Sequence, residues 1–183
     1  MKKFLISVLE VVEIAAIAIG AVFVIRSFLV QPFLVSGDSM VPTFRNGDYL
    51  LIDELTYKVR VPERGEVVVF RYPNDPSVYF IKRIVGLPGE KVEIKNNHVI
   101  VHNDAHPDGI TLDESYLPAG LLTSDKPLTE VSPGEYFVMG DNRPYSFDSR
   151  SWGLLPGNDL VGLVRLRLWP PTQVHIFEAP QYK

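Results

Sequence analysis

A long apolar run near the N-terminus restricts the architecture of this chain more than any other part of its sequence. Met1-Lys2-Lys3 precedes Phe4 to Ile25, 22 mostly apolar residues that are closed by Arg26. As a helix this run would be about 33 Å long, enough to cross a hydrocarbon core of roughly 30 Å. It is longer than the apolar region of an ordinary cleaved signal peptide. We therefore predict an uncleaved transmembrane anchor; a cleaved leader and a buried core helix are the alternatives.

Two acidic residues interrupt the run. Glu10 and Glu13 are three positions apart, so on a helix they share one face. Acidic side chains are costly inside a bilayer. Their place in the first half of the run predicts that they pair with the nearby lysines at the interface or face a partner helix.

The charges on either side of the run predict its orientation. Lys2, Lys3 and the terminal amine outnumber Arg26 and the distant Arg45. Because the flank that is richer in basic residues stays in the cytoplasm, we expect a cytoplasmic N-terminus. The rest of the chain would then lie on the outer side of the membrane, held by a single span.

Beyond the run, a phrase of glycine, an acidic residue and an apolar stretch recurs. It begins at Gly47, Gly65, Gly89 and Gly134, each of which predicts a turn that opens a short strand. Other predicted strands cover residues 78–85, 99–102, 160–169 and 172–177. We predict a mainly β fold: a cytoplasmic tip and anchor (residues 1–26), then an all-β domain of many short strands (residues 27–183).

One segment breaks this rhythm. Residues 103–132 contain Pro107, Pro118 and Pro127 together with several Asp and Gly residues. We interpret them as an insertion or flap that joins two strands of the core. Some local structure is expected in it, because a structureless loop of this length is unusual in a compact domain.

Composition excludes several classes of function. The net charge is −4, which gives no electrostatic case for binding a nucleic acid, a function that needs a basic face. The absence of cysteine excludes disulfides, thiolate metal sites and a cysteine nucleophile.

Three polar stretches carry the candidate chemistry. The first follows the anchor and reads Ser36-Gly37-Asp38-Ser39-Met40-Val41-Pro42-Thr43, in which a glycine turn presents Ser39. Alone this is weak evidence, because serine in such turns usually bonds to the backbone.

The second stretch is Phe80-Ile81-Lys82-Arg83-Ile84-Val85-Gly86-Leu87-Pro88-Gly89. Side chains alternate along a strand, so Lys82 shares a face with Phe80 and Ile84, while Arg83 points the other way. Burial lowers the pKa of a lysine, and the neutral amine can take a proton from a serine hydroxyl. A lysine that extends its amine from a strand edge into water is the alternative.

The third stretch is Gly140-Asp141-Asn142-Arg143-Pro144-Tyr145-Ser146-Phe147-Asp148-Ser149-Arg150-Ser151-Trp152-Gly153. It is rich in hydrogen-bonding side chains and follows an apolar strand. A solvated turn with weak surface ion pairs would explain it, but so would a set of groups that holds a catalytic lysine in place.

Together, the three stretches resemble the nucleophile box, the general-base box and the last conserved box of bacterial type I signal peptidases, the serine/lysine proteases of family S26. The order of the boxes and the preceding anchor agree with this resemblance, which covers most of the chain except residues 103–132. The match is to the single-anchor, Gram-positive type.

The resemblance implies a function and a set of partners. The chain would be a membrane-bound serine endopeptidase that cleaves exported preproteins after small residues (Ala-x-Ala) through an acyl-enzyme. Its partners would be preproteins that bear signal peptides and the lipid bilayer, with the secretion translocon nearby and no nucleic acid. No cofactor and no metal are implied.

Residue roles follow from the same resemblance. Ser39 would be the nucleophile, its backbone N–H an oxyanion donor, Lys82 the general base, and Ser146 the group that orients Lys82. Structural ion pairs are implied for Asp141, Arg83, Asp148 and Arg150. Some members add a second oxyanion hydroxyl two positions before the nucleophile, where this chain has Gly37; members of the Gram-positive type share that glycine.

Histidines offer a second interpretation. His98, His102 and His106 are spaced by four, which on a helix would suggest a metal site. Val99-Ile100-Val101 predicts a strand instead, and Pro107 follows His106, so the three side chains would not converge. His175 has no evident partner, which makes a Ser-His-Asp mechanism the weaker alternative.

Two other functions compete with the peptidase. A self-cleaving repressor on a similar Ser/Lys β-fold would need an N-terminal DNA-binding domain, where this chain has an apolar run. A catalytically silent membrane homologue would bind exported peptides without cutting them, and intact Ser39, Lys82 and Ser146 argue against it.

Overall fold

A computed structural model describes residues 9–20 and 30–180 of the chain. Residues 9–20 form a helix, α1, and every one of them is exposed. Among the described residues, none of the helices has the length and apolar character needed to span a bilayer. The predicted anchor, Phe4 to Ile25, lies partly outside the described residues. Lys2, Lys3 and Arg26 lie wholly outside them.

The rest of the described chain is dominated by strands, which confirms the prediction of a mainly β fold. The strands are β1 (Val30–Leu34), β2 (Tyr49–Asp53), β3 (Val67–Tyr72), β4 (Asp75–Gly86), β5 (Lys91–Lys95), β6 (His98–Asn103), β7 (His106–Thr111), β8 (Lys126–Glu130), β9 (Glu135–Met139), β10 (Leu155–Pro156), β11 (Leu160–Trp169) and β12 (His175–Ile176). Two helices of one turn each, α2 (Thr56–Val59) and α3 (Ser149–Trp152), lie between them.

The strands form two sheets. The larger has the order β1-β2-β11-β3-β4-β9-β10, and β12 pairs with β11. The smaller has the order β7-β6-β5-β8. Neighbouring strands are antiparallel.

The recurrent glycines open strands as predicted. Gly47, Gly65, Gly89 and Gly134 each precede one of the strands β2, β3, β5 and β9, with φ between 77° and 91°. A side chain is strained in this left-handed region, which explains why glycine begins each phrase.

The centre of the larger sheet is covered on both faces. In β3, Val67 and Val69 pack into a core cluster with Phe44, while Val68 packs on the opposite face with Ile84. Alternate residues of this strand are therefore buried on both sides, and the sheet supplies a rigid base for the neighbouring strand β4.

The smaller sheet is inserted between two neighbours of the larger one. β4 ends at Gly86 and β9 begins at Glu135, and all four strands of the smaller sheet lie between them in sequence. Residues 103–132, predicted as an insertion or flap, supply β7 and β8 and the connection between them.

The predicted strand over residues 172–177 is mostly wrong. A 3₁₀ turn occupies Pro171–Gln173 and only the two residues of β12 pair with β11. Pro170 and Pro171 have no backbone N–H to give to a sheet, so pairing can begin only after them.

Candidate active site

Ser39 lies in a loop that is closed at its base by the main chain. We call residues 35–48, between β1 and β2, the Ser39 loop. Val35 N donates to Asp48 O at 2.9 Å, and Gly47 N donates to Val35 O at 2.9 Å. Met40 and Phe44 are buried in the core beneath the loop. The loop is thus tied at both ends and anchored in the middle, while Ser39 stays partly accessible.

Lys82 lies in β4 with its amine beside this serine. Its Nζ is 2.7 Å from Ser39 Oγ and donates to Ile81 O at 2.9 Å. The residue is 3% exposed, and Nζ is 5.2 Å from the centre of the Phe80 ring. A lysine that extends into water from a strand edge, the alternative interpretation, does not fit this burial.

Burial changes the acidity of Lys82. Desolvation lowers its pKa from 10.5 to about 8, against a smaller opposing effect of the Asp148 and Asp141 carboxylates. Both carboxylates are paired with arginines, which weakens their tendency to raise the pKa of Lys82. A substantial fraction of the amine is therefore neutral near pH 8, the form that can accept a proton.

Arg83 and Asp141 form a buried pair beneath the Ser39 loop. Arg83 Nε and Nη2 donate to the two oxygens of Asp141 at 2.8 and 2.6 Å. Thr43 Oγ1 also donates to Asp141, at 2.6 Å, which ties the loop to this pair. Arg83 Nη1 donates to Gly65 O at 2.7 Å. Because Arg83 binds both oxygens of Asp141, the pair fixes the distance between β4 and the third polar stretch and their relative orientation.

Asp148 and Arg150 form the second pair, within the third stretch. Arg150 Nε and Nη2 each donate to Asp148 at 2.8 Å, and Gly140 N donates to it at 3.0 Å. Asp148 also caps α3 by accepting from Arg150 N. Its carboxylate therefore holds the two ends of the stretch together.

The third stretch contacts the Ser39 loop through its backbone. Asn142 N donates to Ser39 O at 3.0 Å, and Asn142 Nδ2 donates to Asp38 O at 3.0 Å. A Cβ added to Gly140 would lie 2.4 Å from Ser39 O, so only glycine permits this approach. The position of Ser39 thus depends on residues about 100 positions away.

Ser146 is placed differently from the expectation. Its Oγ is buried and has no hydrogen bond partner among the residues that the structure describes, so the expected bond to Lys82 is not formed. The hydroxyl lies against Gly140, where an added Cβ would come within 2.2 Å of it.

An apolar cleft opens beside Ser39 and Lys82. Its volume is about 300 Å³, and Ser39 and Lys82 lie in its wall. The remaining lining is mostly apolar and includes Leu34, Val35, Leu50, Val69, Tyr79, Phe80, Ile81, Tyr145 and Phe147. An extended, mostly apolar peptide fits such a surface.

Sequence reasoning missed one buried ion pair. Arg143 is 1% exposed, and its Nη1 donates to Glu114 at 2.8 Å. Glu114 lies in the insertion, 29 positions away, and no motif connects the two residues. The only feature of the sequence that pointed to this ion pair was the arginine itself, in the third stretch.

The histidines do not converge on a metal site. His98 and His102 lie on β6 and His106 on β7. Within residues 9–20 and 30–180, no group of three or more His, Asp or Glu side chains is arranged to hold a metal ion.

The chain is similar in sequence to known proteins. A family model described as "Signal peptidase, peptidase S26" matches residues 8–169. A probable signal peptidase I-2 of Synechocystis sp. is 38% identical, over 82% of this chain and 68% of the relative. A signal peptidase IB of Staphylococcus aureus is 33% identical, over 93% of this chain and 92% of the relative. A crystal structure of a signal peptidase I from Enterococcus faecalis V583 is 29% identical, with a TM-score of 0.48, over 57% of this chain and 97% of that one.

The chain is therefore a serine endopeptidase. It belongs to the signal peptidase family, peptidase S26, and is of the bacterial signal peptidase I type.

Proposed function

We propose that the protein removes signal peptides from exported preproteins with a Ser39/Lys82 dyad. The observation that carries the proposal is the 2.7 Å separation of Lys82 Nζ and Ser39 Oγ, with the lysine buried at the wall of an apolar cleft. A nucleophile and a base at hydrogen-bond distance are the basic requirement for covalent catalysis by a serine.

In the first half of the reaction, neutral Lys82 accepts the Ser39 proton as Oγ attacks the scissile carbonyl. The lysine then gives this proton to the leaving amine, and the signal peptide stays esterified to Ser39. In the second half, Lys82 takes a proton from a water molecule as the water oxygen attacks the ester carbonyl. Lys82 then returns this proton to Ser39 Oγ as the bond from the acyl carbon to Oγ breaks, which frees the signal peptide and regenerates the dyad. One base serves both halves because its pKa, about 8, allows the amine both to accept and to release a proton near that pH.

The surrounding groups would support this chemistry. The Ser39 backbone N–H is the proposed oxyanion donor. Ser146 is the proposed orienting group for Lys82; among the described residues its buried hydroxyl makes no hydrogen bond, so this role requires a rotation of the side chain towards Lys82. The pairs Arg83–Asp141 and Arg150–Asp148 are proposed to keep β4 and the third stretch in register.

The cleft suits a substrate with small side chains before the scissile bond. β9 pairs with β4 only from Arg83 onwards, whereas β3 pairs with it from Asp75. An extended peptide can therefore lie along residues 79–82 on the side away from β3. Alternate side chains of such a peptide face the same way, so two small residues in the Ala-x-Ala pattern would enter the cleft together.

A membrane-bound position is part of the proposal. The exposed helix α1 is almost entirely apolar, apart from Glu10 and Glu13. Leu34, Tyr49 and Trp169 are register partners across β1, β2 and β11, and all three are exposed. Leu34 also lines the cleft. A surface of this kind beside the site fits contact with lipid on the outer face of the membrane, close to a translocon that delivers preproteins.

The dyad is tested by three substitutions in full-length protein in detergent. Ser39→Ala, Lys82→Ala and Lys82→Arg should each abolish cleavage of a preprotein that has an Ala-x-Ala site, with the cut mapped by mass spectrometry. Arginine should fail because a guanidinium cannot act as a base. Circular dichroism checks that each variant is folded, and appreciable cleavage by any of them would exclude the dyad. A wild-type protein that binds the preprotein without cutting it would be the silent homologue.

A further inference from the structure

Arg143 is the largest side chain in the described chain that is fully buried, at 1% exposure. Its Nε donates to Gly140 O at 3.0 Å, and its Nη1 donates to Glu114 at 2.8 Å. Its Nη2 donates to the other oxygen of Glu114 and, at 3.2 Å, to Tyr116 Oη. A buried cation is stable only when its donors are satisfied and its charge is neutralised. Glu114 supplies the neutralising charge.

Tyr116 contacts the second buried arginine of the site. The centre of its ring lies 4.4 Å from the Arg83 guanidinium carbon, a distance typical of a cation–π contact. Arg83 binds Asp141 on its other side. Glu114 and Tyr116 lie two positions apart in the insertion. Through them the insertion contacts both of the buried arginines that lie next to Asp141, Arg143 and Arg83.

These contacts are close to the reacting serine. Asn142, whose N–H donates to Ser39 O, stands between Asp141 and Arg143 in sequence. Arg143 also holds Gly140 O, and Gly140 lies against Ser39 O. The segment that supports Ser39 is therefore fixed on its other side by residues of the insertion.

We propose that Glu114 and Tyr116 are positioning residues of the peptidase site. Through Arg143 and Arg83 they hold residues 140–143 against the Ser39 loop, so that Ser39 Oγ stays in line with Lys82. The insertion would then be a working part of the catalytic unit. This inference rests on the proposed Ser39/Lys82 function.

The test separates the position of Ser39 from preprotein binding. A small activated ester such as p-nitrophenyl acetate acylates a reactive serine and fills none of the peptide sites. Its acylation rate, measured from the release of nitrophenol by full-length protein in detergent, therefore reports on Ser39 and Lys82. Steady-state cleavage of a signal-peptide substrate gives kcat and KM separately.

Glu114→Gln keeps the shape of the side chain and removes its charge. We expect the acylation rate and kcat to fall by at least about tenfold, since small displacements of reacting groups have effects of this size, while KM changes little. Tyr116→Phe removes only the hydroxyl that accepts from Arg143, and should give a smaller loss in the same direction. Glu130→Gln is the matched control: it removes a carboxylate from an exposed position of the same insertion and should leave both rates unchanged.

The results discriminate clearly. A folded Glu114→Gln protein that melts at a lower temperature but acylates at the wild-type rate would show a purely structural role and overturn the inference. If Glu114→Gln does not fold, Tyr116→Phe decides in the same way: a slower acylation supports the inference and a wild-type rate overturns it. Cleavage of the signal-peptide substrate by Ser39→Ala at the wild-type rate would instead overturn the proposed function itself.

Discussion

At the scale of single residues, Lys82 shows how the fold makes an ordinary side chain reactive. In water its amine would be charged at any physiological pH. In the structure the residue is 3% exposed, so desolvation disfavours the ammonium. The carboxylates of Asp141 and Asp148 favour the charged lysine and so raise its pKa, but the arginines that pair with them weaken this effect. In the proposed mechanism, the site therefore provides a base by removing water rather than by adding a second titrating group.

The pH dependence of cleavage follows from this lysine. Below the pKa of about 8 the amine is protonated and cannot accept the Ser39 proton. The rate should therefore rise about tenfold per pH unit below that value and level off above it. Single-turnover cleavage between pH 5 and 10 measures the profile. A midpoint near 6.5, lost when His98, His102, His106 and His175 are replaced together, would indicate a histidine base instead.

The same burial predicts a cost in stability. The pKa of Lys82 is 10.5 in an unfolded chain and about 8 in the fold, so the unfolded state binds more protons between these values. Stability therefore rises with pH across this interval. The cost of burying the charged lysine is absent above pH 10.5, grows as the pH drops towards 8, and is complete below it.

Lys82→Met should consequently be inactive but more stable than wild type at pH 7, by a few degrees in Tm. The difference should shrink as the pH rises from 8 to 10, because wild type regains the lost stability. Thermal melts of both proteins at pH 7 and 9.5 measure it. A variant that is less stable than wild type at pH 7 would contradict the predicted cost.

At the scale of elements, the site depends on three segments that are distant in sequence. The Ser39 loop, strand β4 and the third polar stretch meet through Thr43, Arg83 and Asp141. Gly140 packs against the backbone of Ser39 without room for a side chain. Antiparallel pairing of β4 with β9 brings the start of the third stretch to Lys82, since Arg83 is the register partner of Met139. The sheet thus sets the geometry, and the ion pairs hold it.

Gly140→Ala should damage catalysis more than folding. The added Cβ would lie 2.2 Å from Ser146 Oγ and 2.4 Å from Ser39 O, so the Ser39 loop has to shift. We expect kcat to fall by about a hundredfold, as a displacement near 1 Å can cause. The measurement is steady-state cleavage together with a thermal melt.

Gly120→Ala is a control for this substitution. Its φ of +78° makes alanine strained there, but a Cβ meets nothing within 4 Å. It should lower stability by about 1 kcal/mol and leave cleavage unchanged. Equal activity of the two variants would mean that the contact between Gly140 and the Ser39 loop is not needed.

Local sequence patterns predicted the elements better than their arrangement. The glycine phrases predicted the starts of β2, β3, β5 and β9, because a turn with positive φ and alternation of apolar residues are local properties. The position of β11 between β2 and β3 has no local signal, since it depends on pairing across about 100 residues.

The same division applies to the site. Lys82 was expected on an apolar face and is buried there, 2.7 Å from Ser39. The pairing of Arg143 with Glu114 was not predicted, because a buried ion pair between separate segments leaves no periodic pattern. Ser146 was expected to bond Lys82, but its buried hydroxyl has no hydrogen-bond partner among the described residues, and nothing in the neighbouring sequence indicates this.

At the scale of the whole molecule, the cleft lies close to an apolar surface. Ser39 is only 13 positions beyond Arg26, which closes the apolar run, so a fully extended chain between them reaches at most about 43–47 Å. The row formed by Leu34, Tyr49 and Trp169 begins at the cleft itself. An enzyme and a substrate that are both held at the membrane surface meet at one depth, which raises their effective concentration.

Deletion of residues 1–26 tests this arrangement. The remaining chain keeps both sheets, so we expect it to fold, but its apolar surface should make it prone to aggregate in plain buffer. Activity should be retained in part with phospholipid vesicles or detergent, and largely lost without them. Adding Leu34→Ser and Trp169→Ser to the truncated protein should reduce both the aggregation and the stimulation by lipid, with sedimentation and cleavage assays as the measurements. A truncated protein that is freely soluble and equally active with and without lipid would disprove the membrane-surface proposal while leaving the Ser39/Lys82 chemistry untouched.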